Sequence, residues 1–430
     1  MTIIKNIQAI EVLDSRGYPT VEVDVILKSN KIGRFAVPSG ASVSKYEALE
    51  IRDNNPNRFR GKGVLKVLKN IHEIIAPKVI GVDFNNINDL DNILLELDGT
   101  KNKTKLGANS ILGVSLATAK AIAKENKLEF FQYLNHEDNL LPIPLINVIN
   151  GGVHANNNLC IQEFMIVPTL SNTFKEAIQH SAETFYALKE VLTKNNLNTG
   201  IGDEGGFIPN IKNTNQVCEY IIKAIRLAGF TEGKDICLAI DGATSEFFDQ
   251  NTNTYNFKEQ GRIESEQLIQ FWEKLCKDYP IISIEDPLCQ TNWKEWNTIT
   301  NRLGSKVQIV GDDLFATNKS RLCYGIKNKS ANSILIKLNQ IGTLSETLDT
   351  ISLAKAHDIQ CIISHRSGDT EDNTIADLAV GTSVGQIKSG SLSRSERLAK
   401  YNRLLHIENI LGSKARYSKT LTSKSLTKKL

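Results

Sequence analysis

The C-terminal two-thirds of the chain carries a pattern that leaves few folds open. Short apolar runs each end in a polar or charged group, and most alternate with helical periodicity. The runs are Pro144 to Asn150, Phe164 to Pro168, Ile236 to Asp241, Ile281 to Glu285, Val307 to Asp312, Ile334 to Lys337, Cys361 to His365 and Ile375 to Val380. Runs apolar on both faces suit fully buried strands. Helical patterns intervene at about 174–194, 216–228, 264–277, 344–356 and 395–407. The first two runs are too close together for a helix between them, so that pair predicts a hairpin. The result is an α/β chain whose residues 136–415 form a TIM-like β/α barrel with an irregular antiparallel start.

Residues 1–135 have a different order. Strand-like runs at Ile3 to Leu13, Thr20 to Leu27 and Ile32 to Val37 come first, with a tight turn at Asp14-Ser15-Arg16-Gly17. Helical patterns follow at 64–79, 87–97 and 109–123. Strands first and helices afterwards predict a smaller α+β domain. The small, polar segment Pro38 to Ser44 between them is either a plain surface loop or a mobile lid whose Ser42 reaches a ligand or metal. Residues 416–430 are basic and rich in Ser and Thr, and predict a solvated tail.

Charge narrows the class. A formal net charge of +3 implies neither a nucleic-acid nor a membrane surface. No apolar run approaches the roughly 20 residues that span a bilayer. The seven cysteines are odd in number and form no CxxC pair, which predicts free thiols in a reducing cytoplasm.

In a β/α barrel the chemistry gathers where strands end at the carboxyl face. Asn150, His154, Asp241, Glu285, Asp312, Lys337, His365 and Lys388 fall there. Asp241, Glu285 and Asp312 each close an apolar run. Three oxygen ligands without Cys or His select a hard cation such as Mg²⁺; each alone could instead be a helix N-cap. Lys337 ends its strand where partial desolvation would lower its pKa and make it a neutral base; the alternative is a lysine that snorkels to water. Gly202-Asp203-Glu204-Gly205-Gly206 offers either a flexible acidic turn or a carboxylic acid facing that base. Arg366, Ser367 and Lys388 point to an anionic, phosphorylated ligand. Together these groups suit proton abstraction next to a carboxylate, followed by elimination.

The motifs Gly40-Ala41-Ser42, Asn150-Gly151-Gly152-Val153-His154, Gln162-Glu163-Phe164, Gly202 to Gly206, Ser283-Ile284-Glu285-Asp286, Gly311-Asp312-Asp313, Lys337-Leu338-Asn339-Gln340, Ser364 to Gly368 and Gln386 to Gly390 resemble the enolase family, bacterial-type, over about residues 3–409. The resemblance implies a hydro-lyase: reversible dehydration of 2-phosphoglycerate to phosphoenolpyruvate in glycolysis. It implies Lys337 as the base at C2 and Glu204 as the acid at the C3 hydroxyl, with Glu163, His154 and His365 around the reacting atoms. Gln162, Arg366, Ser367 and Lys388 match substrate contacts. Asp241, Glu285 and Asp312 match the ligands of one Mg²⁺, and Ser42 a ligand of a second that arrives with substrate. It implies a cytoplasmic homodimer or an octamer. Some family members also appear at the cell surface or are secreted, and bind plasminogen. A sugar-acid dehydratase of the wider superfamily is the rival reading, against which the phosphate motif and the Gly-Asp-Glu-Gly-Gly loop speak. The chain departs from the family at Val43-Ser44, where Thr-Gly is usual.

Overall fold

A computed structural model describes residues 2–40, 44–135 and 139–419. The N-terminal strands are β1 (Thr2–Leu13), β2 (Pro19–Leu27), β3 (Ile32–Ala36) and the short β4 (Asp83–Phe84). They form an antiparallel sheet of order β3-β2-β1-β4. β2 alternates between buried and half-buried residues, and its inner face carries Val21, Val23, Val25 and Leu27. Helix Ala108–Glu125 covers that face. It is buried almost all round, which its alanine, glycine and serine content permits because small side chains allow close approach. The helical pattern at 64–79 forms as Leu65–Lys69 and Ala76–Val79 joined by a π-helical turn over Asn70–Ile75.

After the two-residue β5 (Leu140–Leu141), the barrel strands are β6 (Ile143–Asn150), β7 (Glu163–Pro168), β8 (Ile236–Asp241), β12 (Ile281–Glu285), β13 (Gln308–Gly311), β14 (Ser333–Ile336), β15 (Gln360–Ser364) and β16 (Gln386–Lys388). A side sheet of β9 (Phe248–Asp249), β10 (Thr254–Phe257) and β11 (Gly261–Ile263) interrupts the series between β8 and β12. The barrel closes in the order β12-β13-β14-β15-β16-β6-β7-β8. β6 and β7 pair antiparallel, as do β7 and β8, and the remaining barrel pairs are parallel. The hairpin expected from the short first interval is therefore present.

One predicted strand is a helix. Thr374–Gly381, which contains the run Ile375 to Val380, is helical and buried on every side. A short helix without a polar face has no 3.6-residue signature, so its sequence cannot be told from a buried strand. The eighth strand is instead β16, only three residues long, and Lys388 is its last residue. The helices Trp293–Leu303 and Lys319–Asn328 also lie outside the helical patterns of the sequence. Arg416–Tyr417, at the start of the predicted tail, forms β17 in parallel pairing with β5. All seven cysteines are free.

The two halves meet beside the barrel mouth. Asp14 Oδ1 accepts the N–H groups of Arg16 and Tyr18 and shapes the β1–β2 turn. The Ser15 N–H then donates to Asp369 O, and Ser39 pairs with Gly368. A Cβ at Gly368 would lie 2.6 Å from Ser39 O and would also strike Arg16 and Asp14, so only glycine allows this approach.

Candidate active site

Strand register builds the acidic row. Glu163 of β7 pairs with Asp241 of β8, and Asp241 pairs with Glu285 of β12. Paired residues on neighbouring strands point to the same side of the sheet, so three carboxylates stand side by side at one height. All three are buried, which strands that run inside a helical shell impose. Asp312 follows β13 immediately, and its backbone N–H donates to Asp286 Oδ1 at 2.9 Å.

Two lysines answer this charge. Lys388 Nζ lies 2.9 Å from each Glu285 oxygen, 3.1 Å from Asp241 Oδ2 and 3.1 Å from Glu163 Oε2. Lys337 Nζ donates to Asp312 Oδ2 at 2.5 Å. Burial alone would lower the Lys337 pKa, but the Asp312 carboxylate overcomes it and the pKa is raised. The expected neutral amine is thus an ammonium in this state, because its nearest neighbour is a carboxylate that the sequence placed among the metal ligands. Burial, and then Asp241, push Glu285 well above the carboxylate range.

The donors fit a hard divalent cation: Asp241, Glu285 and Asp312 are buried, offer oxygen alone, and stand where uncompensated charge is costly. They do not form one tight cluster here, since Asp241 and Glu285 share Lys388 while Asp312 turns to Lys337. Among the described residues, the side chains that do lie close enough together to hold an ion are Asp286, Asp312 and Asp313, and also His154, Glu163 and Glu204. Burial and then Asp312 push Asp313 up to about 8. Ser42 lies outside the described residues.

Across the mouth, Glu204 sits in its glycine loop, held by an Asn147 Nδ2 donor at 3.0 Å. Gly205 has φ +87°, and a Cβ there would lie 2.6 Å from Ser393 O, so the loop's tight path requires glycine. His154 Nδ1 lies 3.6 Å from Glu204 and 3.8 Å from Glu163, and His365 Nε2 lies 3.5 Å from Glu204. The two carboxyls divide. Burial and then the Glu204 charge raise Glu163 well above its ordinary value. Burial also opposes charge on Glu204, but His154, His365, Arg397 and Lys388 outweigh it and hold its pKa well below that value. The surrounding charges thus favour a proton on Glu163 over one on Glu204.

The groups expected to bind an anion are engaged by the chain itself. Arg366 is buried, and its Nη1 donates to Glu47 Oε2 and to Asn339 Oδ1, each at 3.0 Å. Its Nη2 donates to Glu47 Oε1 at 3.2 Å. Ser367 lies beside it and is buried. Gln162 Nε2 donates to Asp241 Oδ2 at 3.3 Å, so it supports the acidic row.

Five participants have no role assigned to them from the sequence. Asn147 is the polar residue inside an otherwise apolar β6, a signal that was there to read. Asp286 stands in the motif Ser283-Ile284-Glu285-Asp286 without a role of its own, whereas Glu47 and Arg397 have no local signature, because each is drawn in by tertiary contact alone. Gln340 joins them: its Nε2 donates to Glu47 Oε1 at 3.2 Å and to Asp312 Oδ1 at 3.0 Å, linking the anion side to the cation side.

Two family models match the chain, "Enolase, N-terminal domain" over residues 4–134 and "Enolase, C-terminal TIM barrel domain" over residues 138–426. The closed barrel, the antiparallel sheet before it and the buried acidic mouth stand within those two matches, and the chain belongs to the enolase family.

Proposed function

We propose that the protein catalyses the reversible dehydration of 2-phospho-D-glycerate to phosphoenolpyruvate, with Mg²⁺ as cofactor. The observation that carries this reading is the placement of base and acid. Lys337 follows β14, and Glu163 lies on β7. Around the ring β14, β15, β16, β6, β7 that is four steps of eight, so the two groups occupy opposite walls. A small substrate between them meets an amine on one face and a carboxylic acid on the other.

Asp241, Glu285 and Asp312 are the residues that would hold Mg²⁺, with Ser42 assigned to a second ion. When bound, the cation supplies positive charge where a carboxylate becomes a dianion. Lys337 Nζ takes the C2 proton, and the C–H electron pair moves into the adjoining carboxylate. That electron pair returns to form the C2–C3 double bond as the C3–O bond breaks. The departing hydroxide takes a proton from the Glu163–Glu204 pair and leaves as water. Lys337 must be unprotonated to start, and its partner Asp312 is itself a proposed cation ligand. Asp312 engaged by a cation would no longer keep the amine charged, which would link cation binding to activation of the base. Lys388 would receive the substrate carboxylate, and Arg366 with Ser367 the phosphate. His154 and His365 line the acid side.

A cytoplasmic homodimer or larger assembly belongs to the same proposal. The test is direct. Purified protein given 2-phosphoglycerate and Mg²⁺ should show the ultraviolet absorbance of the enolic product, and EDTA should abolish it. A folded, magnesium-loaded sample without turnover would refute the reading.

A further inference from the structure

Arg397 is fully buried in the first turn of helix Ser395–Leu411 and takes no direct part in the chemistry above. Its Nη1 lies 2.5 Å from His365 Nδ1 and 2.6 Å from Arg366 O. Its Nη2 donates to Ser367 O at 2.7 Å and to Asp203 O at 3.1 Å. One guanidinium thus ties the His365-Arg366-Ser367 loop to the loop that carries Glu204. A guanidinium donates and has no lone pair with which to accept. His365 Nδ1 must therefore be the acceptor, and in a neutral ring the proton then resides on Nε2, which lies 3.5 Å from Glu204 Oε1. Gly390 makes the arrangement possible. A Cβ there would lie 2.8 Å from Arg397 Cδ, 2.9 Å from Glu204 O and 3.1 Å from His365 Cε1, so the three residues close on one another over a bare backbone.

We infer that Arg397 is a positioning residue that fixes His365 as its Nε2–H tautomer, so that the ring serves Glu204 as a hydrogen-bond donor. The inference rests on the proposed function only for its bearing on catalysis. A donor at Glu204 favours the ionised form of that carboxyl and leaves the pair's proton to Glu163. Burial first opposes charging the ring; of the charged groups facing it, Glu204 favours the charge and Arg397, Lys388 and Lys337 oppose it.

The experiment reads the tautomer without substrate, so its result stands apart from whether 2-phosphoglycerate is turned over. The full-length protein is labelled with ¹⁵N-histidine, and His365→Gln assigns the ring signals. The wild type should show Nε2 protonated and Nδ1 unprotonated across pH 6 to 8; an Nδ1–H or a doubly protonated ring would overturn the inference. Arg397→Met should release the ring to its other tautomer or let it titrate, and should shift a limb of the kcat–pH profile. Arg397→Lys, which also donates only, should restore the wild-type signals. A folded Arg397→Met with an unchanged tautomer would overturn the inference. Should Arg397→Met fail to fold, the wild-type and Arg397→Lys spectra decide: Nε2–H in both supports it, and Nδ1–H in either refutes it.

Discussion

Replacing Lys388 by methionine tests whether the acidic row is a cation site. The ammonium sits about 3 Å from three carboxylates. At that distance and an effective dielectric of about 20, each pair gains roughly 5 kcal/mol of Coulomb energy. Most of this is offset by the cost of taking the charges out of water. Removing one partner of such a buried cluster leaves a net loss of about 3–5 kcal/mol. Methionine keeps the length and apolar stem, so packing loss stays small. The assay is urea unfolding of wild type and Lys388→Met, each in EDTA and in saturating Mg²⁺. A ligand at a hundredfold its Kd stabilises by about 2.7 kcal/mol. In the variant the increment from Mg²⁺ should exceed that in the wild type by at least about 1 kcal/mol, because the cation there meets carboxylates that nothing else neutralises. Equal increments in the two proteins would refute the reasoning, since ammonium and cation would then answer to different groups.

Lys337→Met should abolish exchange of the substrate C2 proton with solvent, with a loss in kcat of at least about 10²- to 10⁴-fold; persisting exchange would remove it as the base. Glu47→Gln keeps an acceptor for Arg366 but removes the competing charge, so inorganic phosphate measured by calorimetry should bind a few-fold more tightly; weaker binding would show that Glu47 orients the arginine instead. Asp91 is buried between the halves, where its Oδ2 accepts the Ser345 N–H at 2.9 Å, and burial raises its pKa from 3.8 to about 6. The folded state then holds a proton that the unfolded state has released, so stability falls as pH rises from about 4 to 6, by roughly 3 kcal/mol. Asp91→Asn should flatten that part of the stability–pH curve, and an unchanged slope would exclude Asp91 as its source.

Much of the site was legible because a strand end is a local feature. Asp241, Glu285 and Lys337 each close or follow an apolar run, and the barrel rule then brings them to one mouth. The antiparallel start was legible from chain length, since 13 residues between Asn150 and Phe164 leave no room for a crossover helix after the motif residues are set aside. What escaped depends on partners. Ile375 to Val380 reads equally as strand or helix until the helix Phe130–Leu134 is seen packed against it. Arg397 lies in a stretch of mixed charge that looks like a solvated helix face. The charge state of Lys337 differs from the expectation for the same reason: desolvation can be judged from a strand, but a carboxylate 25 residues away in the chain cannot.

The mouth is built in position but answered in charge. Three sets of contacts hold it in this state: Lys388 with Glu163, Asp241 and Glu285; Lys337 with Asp312; and Arg366 with Glu47. Each cation in them is one the proposed chemistry assigns to substrate or proton, and three of the carboxylates, Asp241, Glu285 and Asp312, are assigned to metal. Leaving any of these ions buried alone would cost several kcal/mol, so a fold that gathers them must pair them. On the proposed function, ligand binding would exchange partners instead of creating them: a substrate carboxylate or phosphate would replace a chain carboxylate, and a divalent cation would replace an ammonium. The exchange keeps the desolvation that folding has already imposed, so the binding free energy reflects the difference between old and new partners. Gln340 makes the exchanges mutually dependent, because the same amide donates to Glu47 on the anion side and to Asp312 on the cation side. Removing that amide with Gln340→Glu would put a carboxylate against both; a cation and an anion should then no longer strengthen each other's binding as they do through the shared donor.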